Sequence, residues 1–398
     1  MLESLRSGAW LTRPRIRAYA VLCCLAYLAV IVFAFATAHG DVDEAGRPLG
    51  TDFSEVWVAG RTVLAGHPAL PYDPAAHAAA QHAVFGPDSP FFGWHYPPYF
   101  LLLAAFFALL PYLPALAVWQ GVTLALYLRV VWRIVPDRLA VLAGLAFPAV
   151  YVNLGHGHNG FLSAALLGGG LLALERRPVL AGVLFGLLAY KPQFGVVLPV
   201  ALLAGLYWRA IIAAAATVAA MTLATLAAFG PATWLAFRDS LAFTRTVVLE
   251  QGSTGWEKIQ SAFSAVRMWG GGIGAAYAVQ TAVTLLVLAG LAWLWARRGA
   301  DWRLRAAAVL PAALLTTPYC LDYDMMLLGP ALALLVAHGL ARGFAPWERT
   351  VLAAVWCAPL LARMVAAVTL VPLGLLSMLA LFGLVLARAG GDARAAAA

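Results

Sequence analysis

Hydrophobic residues run almost unbroken from Ala18 to Ala38. Runs of the same character recur to the C-terminal end, each closed by a short break of arginine, glycine or proline. Apolar segments that approach about 20 residues read as helices able to cross a bilayer. The pattern predicts spans at 18–38, 112–131, 139–154, 160–174, 179–190, 194–207, 210–229, 274–295, 304–317, 325–340, 350–369 and 371–387. The fold class is therefore all-α, a polytopic integral membrane protein of about twelve transmembrane helices in a single membrane-embedded domain, 1–398. The first run is longer than the core of a signal peptide and lacks a small-residue cleavage site, so it reads as a retained span. Several spans have only about 13 to 16 residues, which suggests broken helices around a polar cavity.

Two segments lack continuous apolar character. In the first, 39–111, Pro111 and Pro114 divide the apolar stretch after Tyr96-Pro97-Pro98, which predicts a re-entrant helix up to Leu110. Earlier in the same segment a helix would put Phe53, Val56, Trp57, Gly60 and Leu64 on one stripe and Asp52, Glu55, Ala59 and Thr62 on another. That pattern predicts a helix lying on the membrane with its acids turned to one side. The same spacing also fits a capping box, with Asp52 as N-cap and Glu55 answering it. The second segment, 230–273, holds two predicted surface helices, around Trp234 to Glu250 and Lys258 to Trp269.

Charge orients these elements. Arg6, Arg13, Arg15 and Arg17 precede the first span, which places the N-terminus in the cytoplasm and makes 39–111 and 230–273 outer loops. In this arrangement 18 of the 26 basic residues are cytoplasmic and 12 of the 18 acids lie outside, so the opposite orientation is disfavoured. The C-terminus is also cytoplasmic. Only 11% of residues are charged and 63% are hydrophobic, against about 25% charged in soluble domains, so no soluble domain longer than a loop is expected. The net charge of +8 reports orientation and implies no nucleic-acid partner, because the arginines cluster between apolar runs. Cys23, Cys24, Cys320 and Cys357 form neither a disulfide framework nor a zinc pattern.

The predicted outer face collects the polar residues that are not loop charges. Asn153, His156, His158 and Asn159 fall between two spans, Lys191 and Gln193 between two others, and Tyr319, Asp322, Tyr323 and Asp324 between a third pair. The two histidines also fit an ordinary interfacial turn, and no metal-ligand spacing is present, so no metal or cofactor is proposed. Lys191 and Lys258 are the only lysines in the chain. A lysine wedged between short spans either snorkels to the interface or meets an anion, and the anion reading is preferred for Lys191. Asp322-Tyr323-Asp324 resembles paired acids that hold a divalent cation with a nucleotide sugar, while Asp324 also reads as a helix cap. Arg363 falls deep in the eleventh span without an evident partner.

Several short motifs in order carry a resemblance. Asp52-Phe53, Trp57, Ala59-Gly60-Arg61, Tyr72-Asp73-Pro74, Tyr96-Pro97-Pro98 and Leu113-Pro114 look like the opening of glycosyltransferase family 87. Gly157-His158-Asn159-Gly160, Tyr190-Lys191-Pro192-Gln193, Thr317-Pro318-Tyr319 and Asp322-Tyr323-Asp324 are similar to its later motifs. The likeness departs at His158, where glutamine is expected, and at Val56, where an aromatic residue is common. The resemblance implies a membrane glycosyltransferase of the C-type fold in a bacterial cytoplasmic membrane, with its active site facing the periplasm or exterior. It implies a polyprenyl-phosphate sugar donor, typically mannose, a lipid or glycan acceptor, and an essential aspartate in the first outer loop, here Asp52.

Such a reaction needs a base for the acceptor hydroxyl and positive charge for the departing phosphate. Asp52 is the candidate base, with Glu55 as a second acid or sugar ligand. Lys191 is the expected phosphate contact, with Lys258 and Arg267 as helpers. His156, His158, Asn159, Gln193, Tyr319, Asp322 and Asp324 are candidates for binding sugar or phosphate. A lipid-linked sugar flippase or transporter would also want broken helices and a polar cavity, but no inverted repeat is evident.

Overall fold

A computed structural model describes residues 1–397. Among them no strand forms, only isolated bridges such as Ile259 with Leu321. Helix α1 (Leu2–Ser7) leads into α2 (Arg13–Ala36), which Thr12 caps and Pro14 opens. Only Ala20 of α2 is buried, so this helix presents its apolar side chains outward. The first loop segment holds α3 (Phe53–Leu64), α4 (Pro74–Phe85), capped by Asp73, and the nine-residue α5 (Tyr99–Phe107).

Next comes α6 (Tyr112–Ile134), followed by α7 (Arg138–Leu145) and α8 (Pro148–His156), which meet at a bend of 48° just before Pro148. Shorter helices follow: α9 (Gly160–Ala173), α10 (Pro178–Leu187), α11 (Pro192–Gly195) and α12 (Val197–Ala204). Helix α13 (Trp208–Phe243) is interrupted at Gly230, whose φ of 73° precedes Pro231. It continues into a π-helical segment, Thr244–Glu250. The remaining helices are α14 (Ala262–Met268), α15 (Ile273–Ala296), α16 (Trp302–Leu315), α17 (Leu328–Arg342), α18 (Glu348–Thr369) and α19 (Leu373–Ala397).

Seven helices among the described residues are long and apolar enough to cross a membrane, or eight with α7 and α8 counted as one bent span. The other apolar runs, at 160–174, 179–190, 194–207 and 304–317, form helices too short to cross by themselves. The predicted surface helix at Lys258 to Trp269 is only α14, because the chain before it pairs with the 319–322 segment. Gln260 N donates to Cys320 O at 2.6 Å, and Asp322 N donates to Lys258 O at 3.1 Å. The predicted helix at Trp234 to Glu250 is the continuation of α13 beyond Gly230.

The largest departure concerns α3, which does not lie on a surface with one face open. Both predicted stripes are buried, and mainly Arg61, Leu64 and part of Trp57 reach the outside. The cause is α5, which packs so closely that the Gly60 backbone abuts the Ala104 carbonyl, and any Cβ at Gly60 would collide with it. Phe53 is fully buried against Phe107, Tyr112 and Trp119. Burying a side chain of that kind contributes about 1.5–3 kcal/mol. Helix α5 thus serves as the floor beneath α3.

The arginine-bearing ends of the helices meet at one end of the bundle. Arg13 pairs with Asp137 at 2.8 Å, Arg305 with Glu175 at 2.9 Å, and Arg388 with the buried Glu348 at 3.6 Å. Buried His338 lies between Asp301 (3.3 Å) and Asp392 (3.2 Å) at the same end. Helix α1 docks there too, since Trp347 N donates to Arg6 O at 2.7 Å and Trp10 Nε1 to Thr350 Oγ1 at 3.0 Å. Arg363 is exposed on α18, beside the exposed Leu360 and Met364, six residues before the helix ends. A long cationic side chain there can run along the helix toward the interface.

Candidate functional site

At the other end of the bundle, a cavity of about 130 Å³ is shared by six stretches distant in sequence. The first wall is α3. Asp52 occupies the N-cap position, yet its backbone is already helical and its side chain makes no capping bond. The turn before it meets part of that need, with Phe53 N donating to Gly50 O at 2.6 Å and Ser54 N to Thr51 O at 3.0 Å. The capping-box reading is therefore not realised, and the Asp52 carboxylate, 8% exposed, is turned into the cavity. Its nearest basic group is His156 Nδ1 at 3.8 Å, a nitrogen already 2.9 Å from Thr51 Oγ1. Glu55, 5% exposed, lines the same wall, and its Oε2 is buried with no hydrogen-bond partner. Burial first, then the Asp52 charge, hold its carboxyl well above the usual range, against the pull of Lys258 and Lys191. Glu55 is thereby pushed toward its neutral form.

The second wall is a polar knot around Tyr96. Asn159 Nδ2 donates to Tyr96 Oη at 2.8 Å, and Tyr96 Oη lies 3.1 Å from His158 Nε2. Either group can be the donor in that contact, because the Tyr96 oxygen has a lone pair left after accepting from Asn159 and the direction follows the imidazole tautomer. His158 Nδ1 is buried with no partner. Burial, followed by the Lys191 charge, pushes the His158 pKa well down and keeps the ring neutral. Gly157 (φ 62°) adopts the left-handed conformation against Phe53 and the Gly50 carbonyl, where a side chain has no room. Tyr72 Oη donates to the Tyr96 carbonyl at 3.1 Å and steadies the whole wall.

The third wall carries the positive charge. Lys191 Nζ is 2.6 Å from Asp324 Oδ1, with the two residues 4% and 1% exposed, and Asp324 Oδ2 accepts from Leu321 N at 3.0 Å. The anion expected for Lys191 is therefore supplied within the chain. Lys258 also lines the cavity, with Nζ 5.5 Å from the centre of the Tyr323 ring, and it forms no ion pair among the described residues. Tyr323 stacks on His158 with ring centres 3.4 Å apart, which joins this wall to the second.

Asp52, Glu55, His158, Lys191, Gln193, Lys258, Tyr319 and Asp324 thus share one cavity. His156 and Asn159 support it from behind through Thr51 and Tyr96. Asp322 is turned away, accepting from Tyr323 N at 2.9 Å, so Asp322 and Asp324 do not converge as a cation-binding pair. Arg267 is also elsewhere. Its donors reach Gly271 O at 2.8 Å and Glu250 O at 3.2 Å, and its guanidinium covers Trp256, so it lies outside this cavity.

His95, like Phe91, Phe92, Gly93, Thr254 and Leu321, is a lining residue that sequence reasoning passed over. It was one of several histidines scattered through the first loop, and its only signal is its place inside Trp94-His95-Tyr96-Pro97-Pro98. Burial lowers its pKa to about 4, partly opposed by the Asp52 charge.

The model of the family described as Glycosyltransferase family 87 matches residues 94–318, more than half of the chain. No curated protein and no solved structure matches.

Proposed function

The chain belongs to glycosyltransferase family 87, and from that membership we propose that it transfers a hexose, mannose by the resemblance, from a polyprenyl-phosphate donor to a lipid or glycan hydroxyl. The observation that carries this reading is the division of one cavity into a carboxylate wall on α3 and a lysine wall around Tyr323. A glycosyl transfer from a lipid phosphate needs those two charges on opposite sides of the sugar. Asp52 takes the proton of the acceptor hydroxyl as its oxygen attacks the anomeric carbon. The bond from that carbon to the phosphate oxygen breaks, and the lipid phosphate leaves with the electron pair and an added negative charge. Lys258, which has no ion-pair partner among the described residues, meets that charge first. Lys191 holds Asp324 and frames the same wall. Glu55 in its neutral form offers a proton to a sugar hydroxyl. The family membership favours transfer over simple flipping of a lipid-linked sugar.

Purified protein incubated with polyprenyl-phosphate mannose and a membrane glycolipid extract should yield an acceptor heavier by one hexose in a mass spectrum. The same extract with the Asp52→Asn protein should not. If no polyprenyl-phosphate hexose is consumed, the donor assignment falls.

The proposed architecture is a C-type fold of about twelve spans, with the cavity at the outer membrane face. Gathering the arginine-bearing ends away from the cavity supports that orientation. Reporters fused after Gly86 or Gly252 should read as external, and those after Arg177 or Arg298 as cytoplasmic. A cytoplasmic signal at Gly86 would invert the orientation and remove the outer-face reaction.

A further inference from the structure

His95 is a cavity residue that the proposed proton and charge movements do not use. Its imidazole is held from two separate stretches of chain. Nδ1 is 2.8 Å from Thr244 Oγ1. One ring face lies against Phe243, centre to centre 6.4 Å, and the ring meets Tyr319 edge-on at 6.1 Å. These contacts leave Nε2 as the nitrogen not taken by Thr244. Its neighbour is Gly93, another lining residue, where even a Cβ would come within 2.9 Å of Nε2. Glycine thus keeps the approach to that nitrogen open. Thr244 begins the π-helical segment that ends α13, and departures of this kind from regular helix often mark functional positions.

The ligand chemistry follows from charge. His95 stands where the Asp52 charge is felt, whereas both lysines lie around Tyr323. An anionic group would choose the lysine wall. A fixed, uncharged imidazole nitrogen beside a carboxylate suits a neutral hydroxyl, which can donate to it or accept from it. We propose that His95 Nε2 hydrogen-bonds a hydroxyl of the sugar held in this cavity, and that Thr244 is its positioning residue. This rests on the transferase reading above.

Glutamine and asparagine separate ligand contact from scaffolding, because the Gln amide reaches near the Nε2 position and the Asn amide near Nδ1. In full-length protein, His95→Gln is expected to keep transfer from polyprenyl-phosphate mannose within about threefold of the unsubstituted chain. His95→Asn and His95→Phe are expected to lose about tenfold or more, the scale of one hydrogen bond to a substrate. Thr244→Val should lower activity severalfold and Thr244→Ser should restore it. Binding of bare polyprenyl phosphate should be unchanged in every His95 variant, because the contact is to sugar. The reverse order, with Asn active and Gln inactive, would reduce His95 to scaffolding through Thr244. Equal weakening for the bare lipid would overturn the sugar assignment. An unsubstituted protein that binds neither lipid would count against the transferase reading itself, before His95 is in question.

Discussion

Asp52→Asn is expected to fold, to bind the lipid donor, and to transfer sugar at least about a hundredfold more slowly, the usual scale for a missing general base. Asparagine matches aspartate in size, and the usual objection, that the aspartate merely caps its helix, does not apply. The Asp52 side chain makes no capping bond. Its closest basic group, His156 Nδ1 at 3.8 Å, is beyond hydrogen-bond length and is engaged by Thr51. Little stability is therefore at stake, and a loss of rate reports chemistry. The measurement is single-turnover transfer alongside donor binding, with melting temperature in detergent as the check on folding. Near-normal turnover would remove Asp52 from the base role and move attention to Glu55, whose neighbouring carboxyl shares the wall, or to Asp324.

The two lysines should fail in different ways. Lys191→Met removes one member of a buried pair and strands Asp324, a defect worth about 3–5 kcal/mol. The variant is expected to melt far below the unsubstituted protein whatever its activity, and Lys191→Met combined with Asp324→Asn should recover much of that stability. Lys258 is half-buried and has no carboxylate partner among the described residues, so Lys258→Met should leave the melting temperature near its original value. It should instead weaken use of the donor by about 30-fold or more, the scale for losing one partner of a desolvated charge contact. Titrating donor against rate and melting temperature for all three variants separates the roles. An unimpaired Lys258→Met together with a stable, donor-defective Lys191→Met would exchange the two assignments.

Much of the fold was legible because its signals are local. A run of apolar side chains long enough to cross a bilayer, a proline that opens a helix and arginines at helix ends all act within a few residues. The break at Gly230-Pro231 falls where an apolar run was expected to end, whereas the bend at Pro148 lies inside the run 139–154 that was read as one span. Part of the site was legible too. Asp52, Glu55, Lys191, Lys258 and Asp324 stood out because charge is scarce in this chain, and all five line the cavity.

What the residues alone could not decide is which partner each group meets. Lys191 asked for an anion, and only packing between α10, α11 and the start of the 322–327 turn supplies one from 133 positions away. Asp52 and Glu55 have the spacing of a capping box, but the turn from Gly50 to Thr51 takes up the neighbouring backbone donors and leaves both carboxylates to the cavity. Apart from its place beside Tyr96-Pro97-Pro98, His95 carries no mark in sequence, and it becomes a site residue through Phe243 and Thr244 from one distant stretch and Tyr319 from another. Arg267 has the right charge and lies in the expected loop, yet two of its donors are taken by backbone carbonyls away from the cavity. By itself the sequence determined where most helices form and the distribution of charge along them, because propensity and hydropathy act over one or two turns. The tertiary structure alone decided which acids stay unpaired, which lysine is free and which histidine is turned into the cavity. Those outcomes depend on distances between segments that meet only when the helices pack.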